Sequence, residues 1–71
     1  MTNLKRIREA SGLSQSGLAD KSGVSIRNIT AYEGKGEQNS RDINKAQAIT
    51  VYQLAQALAS TVEDLLELEG I

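Results

Sequence analysis

Residues 14–33 read SQSGLADKSGVSIRNITAYE, and they contain the clearest structural signals in the chain. Its apolar spacing and polar breaks predict a first helix over about residues 15–21 and a second over residues 26–33. Ser14 and Ser25 precede these helices, where a side-chain hydroxyl can accept from the N–H groups of a first helical turn. The stretch therefore predicts two short, separately capped helices joined by a tight turn.

Glycine rather than proline marks the ends of the helices, because the chain has six Gly and no Pro. Gly23 can adopt the positive φ that a sharp turn between helices requires. An earlier helix is predicted over residues 3–10, with Thr2 as its N-cap and Gly12 closing it. Residues 34–43 are polar and lack apolar periodicity, so they are predicted to form a loop.

Two more helices are predicted in the second half of the chain. One starts near Ala48, with Asn44 as a candidate cap, and has an apolar face at the spacing i, i+3, i+4 and i+7, formed by Val51, Leu54, Ala55 and Leu58. The last covers about residues 62–69. Two capping boxes fit its start, and the pattern leaves the choice open: Ser60 with Glu63, or Thr61 with Asp64. The prediction is one all-α domain over residues 1–71.

Composition narrows the classes of function. The 71 residues include no Cys and no His, so a disulfide, a thiolate or imidazole metal site and the usual nucleophile–base pairs are not expected. We therefore predict no enzyme activity and no cofactor. No apolar run approaches the roughly 20 residues of a membrane span, and residues 1–5 contain no apolar stretch like that of a signal peptide. A cytoplasmic domain is expected.

The charge is divided unevenly along the chain although the total is only −1. Residues 1–45 hold all eight Lys and Arg and have a balance of +3, whereas residues 46–71 have a balance of −4. Such a division between halves indicates a charged partner more clearly than the total does.

The chain resembles the Cro and phage-repressor type of helix-turn-helix, often called XRE-like. The resemblance covers about residues 3–67, and several residues stand at matching positions: Leu4, Ile7, Arg8, Leu13-Ser14-Gln15, Leu18-Ala19, Gly23-Val24-Ser25, Ile29, Tyr32-Glu33, Leu54-Ala55, Ala57-Leu58 and Val62 to Leu66. It implies a compact five-helix, lambda-repressor-like DNA-binding domain in which helices 2 and 3 form the motif. In two places the chain departs from the family pattern: eight residues separate Glu33 from Asp42, and Ala59 stands where the family usually has Gly.

The resemblance implies that residues 26–33 form the recognition helix and enter the major groove. Helical periodicity turns Arg27, Thr30 and Ala31 away from the side that carries Ile29 and Tyr32, and it leaves Ile26 at the edge. The predicted base contacts are Ile26, Arg27, Thr30 and Ala31. Arg27 suits guanine and the methyl groups suit thymine. For Ile26 the alternative is the edge of the core, and for Tyr32 we prefer the core over a stacking platform.

Backbone contacts are predicted near the helix N-termini and in the loop, where cations and N–H groups can meet phosphate. The candidates are Ser14, Gln15, Ser25, Asn28, Lys35, Arg41 and Lys45. The family match assigns Arg8 and Glu33 to a structural ion pair instead.

The resulting hypothesis is a bacterial or phage transcriptional regulator of repressor type, binding double-stranded DNA as a homodimer. The tail residues Leu68 and Ile71 are either part of a dimer surface or a fraying end. The alternative is a protein-interaction module that has kept the fold and binds a protein partner, with weak or no DNA binding. The acidic second half and the sparsely polar face of residues 26–33 favour that alternative.

Overall fold

The described residues, 2–34 and 40–67 of a computed structural model, form five α-helices and one 3₁₀ turn. These elements are α1 (Asn3–Ala10), α2 (Gln15–Ser22), α3 (Ile26–Glu33), the 3₁₀ turn Ile43–Lys45, α4 (Ala48–Ala57) and α5 (Val62–Leu65). The predictions for Lys35, Leu68 and Ile71 lie outside the described residues. Within the described parts, no helix is long and apolar enough to cross a membrane.

The first three helices begin at the predicted caps. Thr2 Oγ1 accepts from the Lys5 N–H at 3.3 Å, and Ser14 Oγ accepts from the Gly17 N–H at 2.9 Å. Ser25 Oγ caps α3 in the same way by accepting from the Asn28 N–H. Each hydroxyl satisfies one of the N–H groups that a first helical turn leaves without a partner. Local sequence therefore sets where these helices start.

The turn between α2 and α3 depends on Gly23. Its φ is +80°, in the left-handed region, and its N–H donates to the Ala19 carbonyl at 2.9 Å. A residue with a Cβ would be strained there, so glycine is the low-cost choice. The turn directs Val24 into the core, where it is buried. The helix-turn-helix geometry thus follows from one backbone requirement and one apolar anchor.

The predicted loop ends earlier than expected, and Asn44 is not the cap of α4. Ile43 is buried and starts the 3₁₀ turn, in which the Asn44 N–H donates to Asp42 Oδ1 at 2.9 Å. The N-cap of α4 is Gln47, which makes no side-chain capping bond. A single apolar residue within a polar stretch has no periodicity. Its burial becomes visible only when the core is assembled.

The last helix is shorter than predicted, ending at Leu65 rather than near residue 69. Leu66 is already extended, with ψ 150°. The Asn44 side chain pairs with the backbone of Glu67, donating from Nδ2 to its carbonyl at 2.6 Å and accepting from its N–H at 2.8 Å. The Asn3 side chain also donates to the Leu66 carbonyl at 2.8 Å. These tertiary bonds accompany the end of the helix.

The start of α5 resolves the choice between the two capping boxes. Asp64 N–H donates to Thr61 Oγ1 at 3.2 Å, and Thr61 N–H donates to Asp64 Oδ2 at 3.1 Å. The register is therefore Thr61 with Asp64. The Thr61 backbone N–H bond is the main reason that the pKa of the Asp64 carboxyl lies below its ordinary value.

The core is mainly aliphatic, and every helix contributes to it. The largest fully buried side chains come one from each, namely Leu4, Leu18, Ile29, Leu54 and Leu65. Tyr32 is buried with them, as the core interpretation of this residue predicts. Packing all five helices on one cluster fixes the orientation of α3 relative to the rest of the domain.

Candidate nucleic-acid interface

One face of α3 is open to solvent. Arg27 and Thr30 are exposed, and Ile26 is 48% exposed, so its side chain lies on the surface rather than in the core. Ala31 is half-buried. Ile29, on the opposite side, is fully buried. The helix therefore offers one long cation, one hydroxyl and apolar methyl groups to a partner.

Both ends of α3 are anchored by other parts of the chain. Ser25 caps the start, and Thr2 Oγ1 donates to the Glu33 carbonyl at 3.2 Å near the other end. The Arg41 backbone N–H donates to the Ala31 carbonyl at 2.8 Å. The backbone at Arg41 thus lies against the C-terminal part of α3. This contact brings the exposed Arg41 to the same helix that carries Arg27.

Arg8 and Glu33 form a buried ion pair between α1 and α3. Arg8 Nε donates to Glu33 Oε2 at 2.6 Å, and Nη2 donates to Oε1 at 3.0 Å. Nη1 donates to the Leu13 carbonyl at 2.7 Å. The hydrogen bond with Glu33 is the main cause that raises the pKa of Arg8, against the opposing effect of burial. The pair joins α1 to the end of α3 and leaves neither charge to contact a ligand.

Gln15 extends this pair to the exposed face of α3. Its Nε2 donates to Glu33 Oε1 at 3.0 Å, and its Oε1 accepts from Thr30 Oγ1 at 3.2 Å. The sequence predicts Gln15 as a phosphate contact and does not reveal these partners. No short-range sequence signal marks them, because Thr30 and Glu33 lie 15 and 18 residues further along the chain.

The predicted phosphate contacts fall into three groups. Ser14 and Ser25 use a hydroxyl lone pair as a cap. A hydroxyl that accepts in this way still carries a proton that it can donate to a phosphate oxygen. Asn28, whose N–H serves the Ser25 cap, is half-buried. Arg41 and Lys45 are exposed, and Lys35 lies outside the described residues.

The cations at and after α3 are not neutralised within the described segments. Among residues 2–34 and 40–67, the ion pairs are those of Arg8, with Glu33 at 2.6 Å and with Glu9 at 3.9 Å. Arg27, Arg41 and Lys45 have no such carboxylate partner there. Their positive charge is therefore available to a polyanion.

Comparison with known proteins supports the same reading of the motif. Residues 4–35 match the model of a family described as helix-turn-helix. No curated protein and no solved structure matches the chain at a significant level. The matched range contains α1 without its first residue, the α2–turn–α3 unit and both members of the buried ion pair. Residues 4–35 are therefore similar to helix-turn-helix domains of the XRE and Cro type, a family of DNA-binding regulators.

Proposed function

We propose that this protein is a bacterial or phage transcriptional repressor, acting in the cytoplasm, that binds an operator as a homodimer. The observation that carries the proposal is the exposed face of α3, on a helix whose two ends are anchored to α1 and to the returning chain at Arg41. An anchored helix with one open face is suited to reading base edges, because little ordering of the protein is needed on binding. No catalytic step is part of this function.

The base contacts would come from Ile26, Arg27, Thr30 and Ala31. Arg27 is the strongest candidate, since it is exposed and a guanidinium can donate two parallel bonds to O6 and N7 of guanine. Ile26 is 48% exposed and suits the methyl group of thymine. The half-buried Ala31 can add a smaller apolar contact.

The phosphate contacts would come from the rim of this face. Ser14, Ser25 and Asn28 stand near helix N-termini, and Lys35, Arg41 and Lys45 add cations after α3. Gln15 would contact phosphate through its main-chain N–H or through the second hydrogen of Nε2, because Glu33 takes only one of the two amide hydrogens. Such contacts position the domain on DNA without specifying its sequence.

The modest charge supports a dimer. A balance of +3 in residues 1–45 gives one domain only a weak net attraction to DNA, and a second copy doubles its phosphate contacts. A two-fold dimer would bind half-sites about one helical turn apart on a near-palindromic site. The symmetry of the selected DNA therefore reports on the oligomeric state.

The test is selection of bound DNA from a random pool, followed by anisotropy measurements on the enriched site. Arg27→Ala should weaken binding by about 1–3 kcal/mol, roughly 5–150-fold, and relax the preference at one base pair. Arg6→Ala is the matched control, because it removes the same charge from an exposed position on α1. If the two variants bind the site equally well, the proposed recognition face is wrong.

Salt dependence gives a second measure of the same complex. Each phosphate contact should add close to −0.9 to the slope of log affinity against log salt. Lys45→Ala should reduce the magnitude of that slope by about the value of one contact, and it should weaken binding to all DNA sequences alike. An unchanged slope would show that Lys45 does not contact a phosphate in the complex.

A second candidate function rests on α4. Ile49 and Tyr52 are 58% and 51% exposed on this helix, and no charged residue stands between Lys45 and Glu63. An uncharged helix surface with two large apolar side chains is typical of protein contacts. Binding of selected or genomic DNA no tighter than about 10⁻⁴ to 10⁻⁶ M, the nonspecific range, would favour a protein-interaction module over a repressor.

A further inference from the structure

A chain of four side chains runs from the buried ion pair to the exposed face of α3. It consists of Arg8, Glu33, Gln15 and Thr30. Two hydrogen bonds of 2.6 and 3.0 Å join Arg8 to Glu33. One of 3.0 Å joins Glu33 to Gln15, and one of 3.2 Å joins Gln15 to Thr30. The first two members are buried, whereas Thr30 is exposed. We refer to these four residues as the relay.

Each bond of the relay has a direction that the chemistry determines. A guanidinium only donates hydrogen bonds, and an ionised carboxylate only accepts them. Glu33 therefore requires a donor from Gln15, which must present Nε2 rather than Oε1 to the carboxylate. The amide oxygen then faces Thr30. Because an amide oxygen only accepts, the Thr30 hydroxyl has to donate its one proton inward.

We propose that Thr30 contacts DNA as a hydrogen-bond acceptor and so selects a base amino group, adenine N6 or cytosine N4. The inference rests on the proposed function, since it assumes that α3 enters the major groove. With its proton donated to Gln15, the hydroxyl has only lone pairs to offer. The acceptors of guanine and thymine, O6, N7 and O4, then gain nothing from it.

Gln15 acts in this scheme as a positioning residue. It does not touch the base, but it determines that the lone pairs of the Thr30 hydroxyl face outward and its proton faces inward. A threonine without such a partner can rotate its O–H and pair with either a donor or an acceptor. The relay therefore converts a permissive hydroxyl into a selective one, and it does so through a charge pair buried on the other side of the motif.

The experiment compares random-pool selections made with the wild type and three variants. Thr30→Val keeps the shape of the side chain and removes the hydroxyl. Thr30→Ser keeps the hydroxyl and the relay, and is the matched control. Gln15→Met removes the acceptor that orients the hydroxyl. Thermal unfolding by circular dichroism confirms that each variant is folded at the temperature of selection.

The wild type should prefer adenine or cytosine at one position of the site, and Thr30→Ser should keep that preference. Thr30→Val should lose it, with affinity for the preferred base falling by about 3–10-fold, as expected for one neutral hydrogen bond. Gln15→Met should broaden the same position to accept guanine or thymine while the remaining positions stay unchanged.

Three results would overturn the inference. One is a Thr30-dependent preference for guanine or thymine in the wild type. The second is an unchanged profile in Thr30→Val, and the third is an unchanged profile in Gln15→Met. In all three cases the enriched site itself would still support sequence-specific DNA binding, the part of the proposed function on which the inference rests. If the wild type enriches no site at all, the proposed function fails together with the inference.

Discussion

Breaking the buried pair of Arg8 and Glu33 should be among the most damaging single changes in this chain. Their side chains are only 10% and 3% exposed, and the carboxylate receives two bonds from the guanidinium. Replacing one member leaves the other charged, buried and without its main partner. The cost of such a change is about 3–5 kcal/mol.

The whole domain has little stability to lose. At roughly 0.05–0.15 kcal/mol per residue, a chain of 71 residues has an unfolding free energy of about 4–10 kcal/mol. Glu33→Leu or Arg8→Met alone should therefore consume a large part of it. Each variant should unfold at a much lower urea concentration than the wild type.

The double variant Arg8→Met with Glu33→Leu should recover much of the loss. It leaves no buried charge, although the Leu13 carbonyl and the Gln15 amide lose the partners that bind them now. Because these two groups lose a hydrogen bond, the free energy of unfolding of the double variant should be about 1–3 kcal/mol lower than that of the wild type. It should still be more stable than either single variant, which is the signature of strong coupling in a double-mutant cycle.

The assay is urea unfolding followed by far-UV circular dichroism, with Glu9→Gln as the control. Glu9 also contacts Arg8, but at 3.9 Å and with a side chain that is 47% exposed. An exposed pair of this kind should contribute at most about 1 kcal/mol. If Glu33→Leu costs no more than Glu9→Gln, or if the double variant is less stable than both singles, the reasoning about the buried pair is wrong.

Three further predictions concern stability. Ala59 has φ +52°, in the left-handed region that strains a residue with a Cβ. Ala59→Gly should therefore raise the free energy of unfolding by about 0.5–1 kcal/mol, which corresponds to roughly 2–8 °C in Tm. An unchanged or lower Tm would show that Ala59 is not strained. Asn44→Ala removes two bonds to the Glu67 backbone and should cost about 1–2 kcal/mol in urea unfolding, whereas the exposed neighbour Lys45→Ala should cost little. The pKa of Asp64 is lowered in the folded state, so its contribution is fully present above the ordinary pKa of about 4 and is lost as the pH falls through the lower, folded value. Asp64→Asn keeps an oxygen for Thr61 and does not titrate, so its Tm should fall less steeply than that of the wild type below about pH 4; parallel curves would contradict the linkage.

The first half of the fold could be predicted almost to the residue. The starts of α1, α2 and α3 depend on Thr2, Ser14 and Ser25, each of which bonds an N–H group three residues away. The turn depends on Gly23, whose φ requirement is equally local. Such signals are legible in sequence because the interacting groups are close along the chain.

The second half was harder to predict because its boundaries depend on distant partners. Ile43 is buried by the assembled core, and the end of α5 coincides with bonds from Asn3 and Asn44 to Leu66 and Glu67. Local propensity favours continuing the helix through this acidic, leucine-rich segment. Tertiary hydrogen bonds compete with that propensity and prevail.

The sequence was sufficient to establish a helix-turn-helix, its caps and the outward-facing residues of α3, since helical periodicity and capping act over three or four residues. It did not reveal that Gln15 is bound to Thr30 and Glu33, or that Arg41 returns to the end of α3. Those contacts join residues far apart in the chain, and they exist only once five helices pack around one core. Local sequence thus determines which side chains α3 exposes, whereas the orientation of their polar groups depends on the tertiary structure.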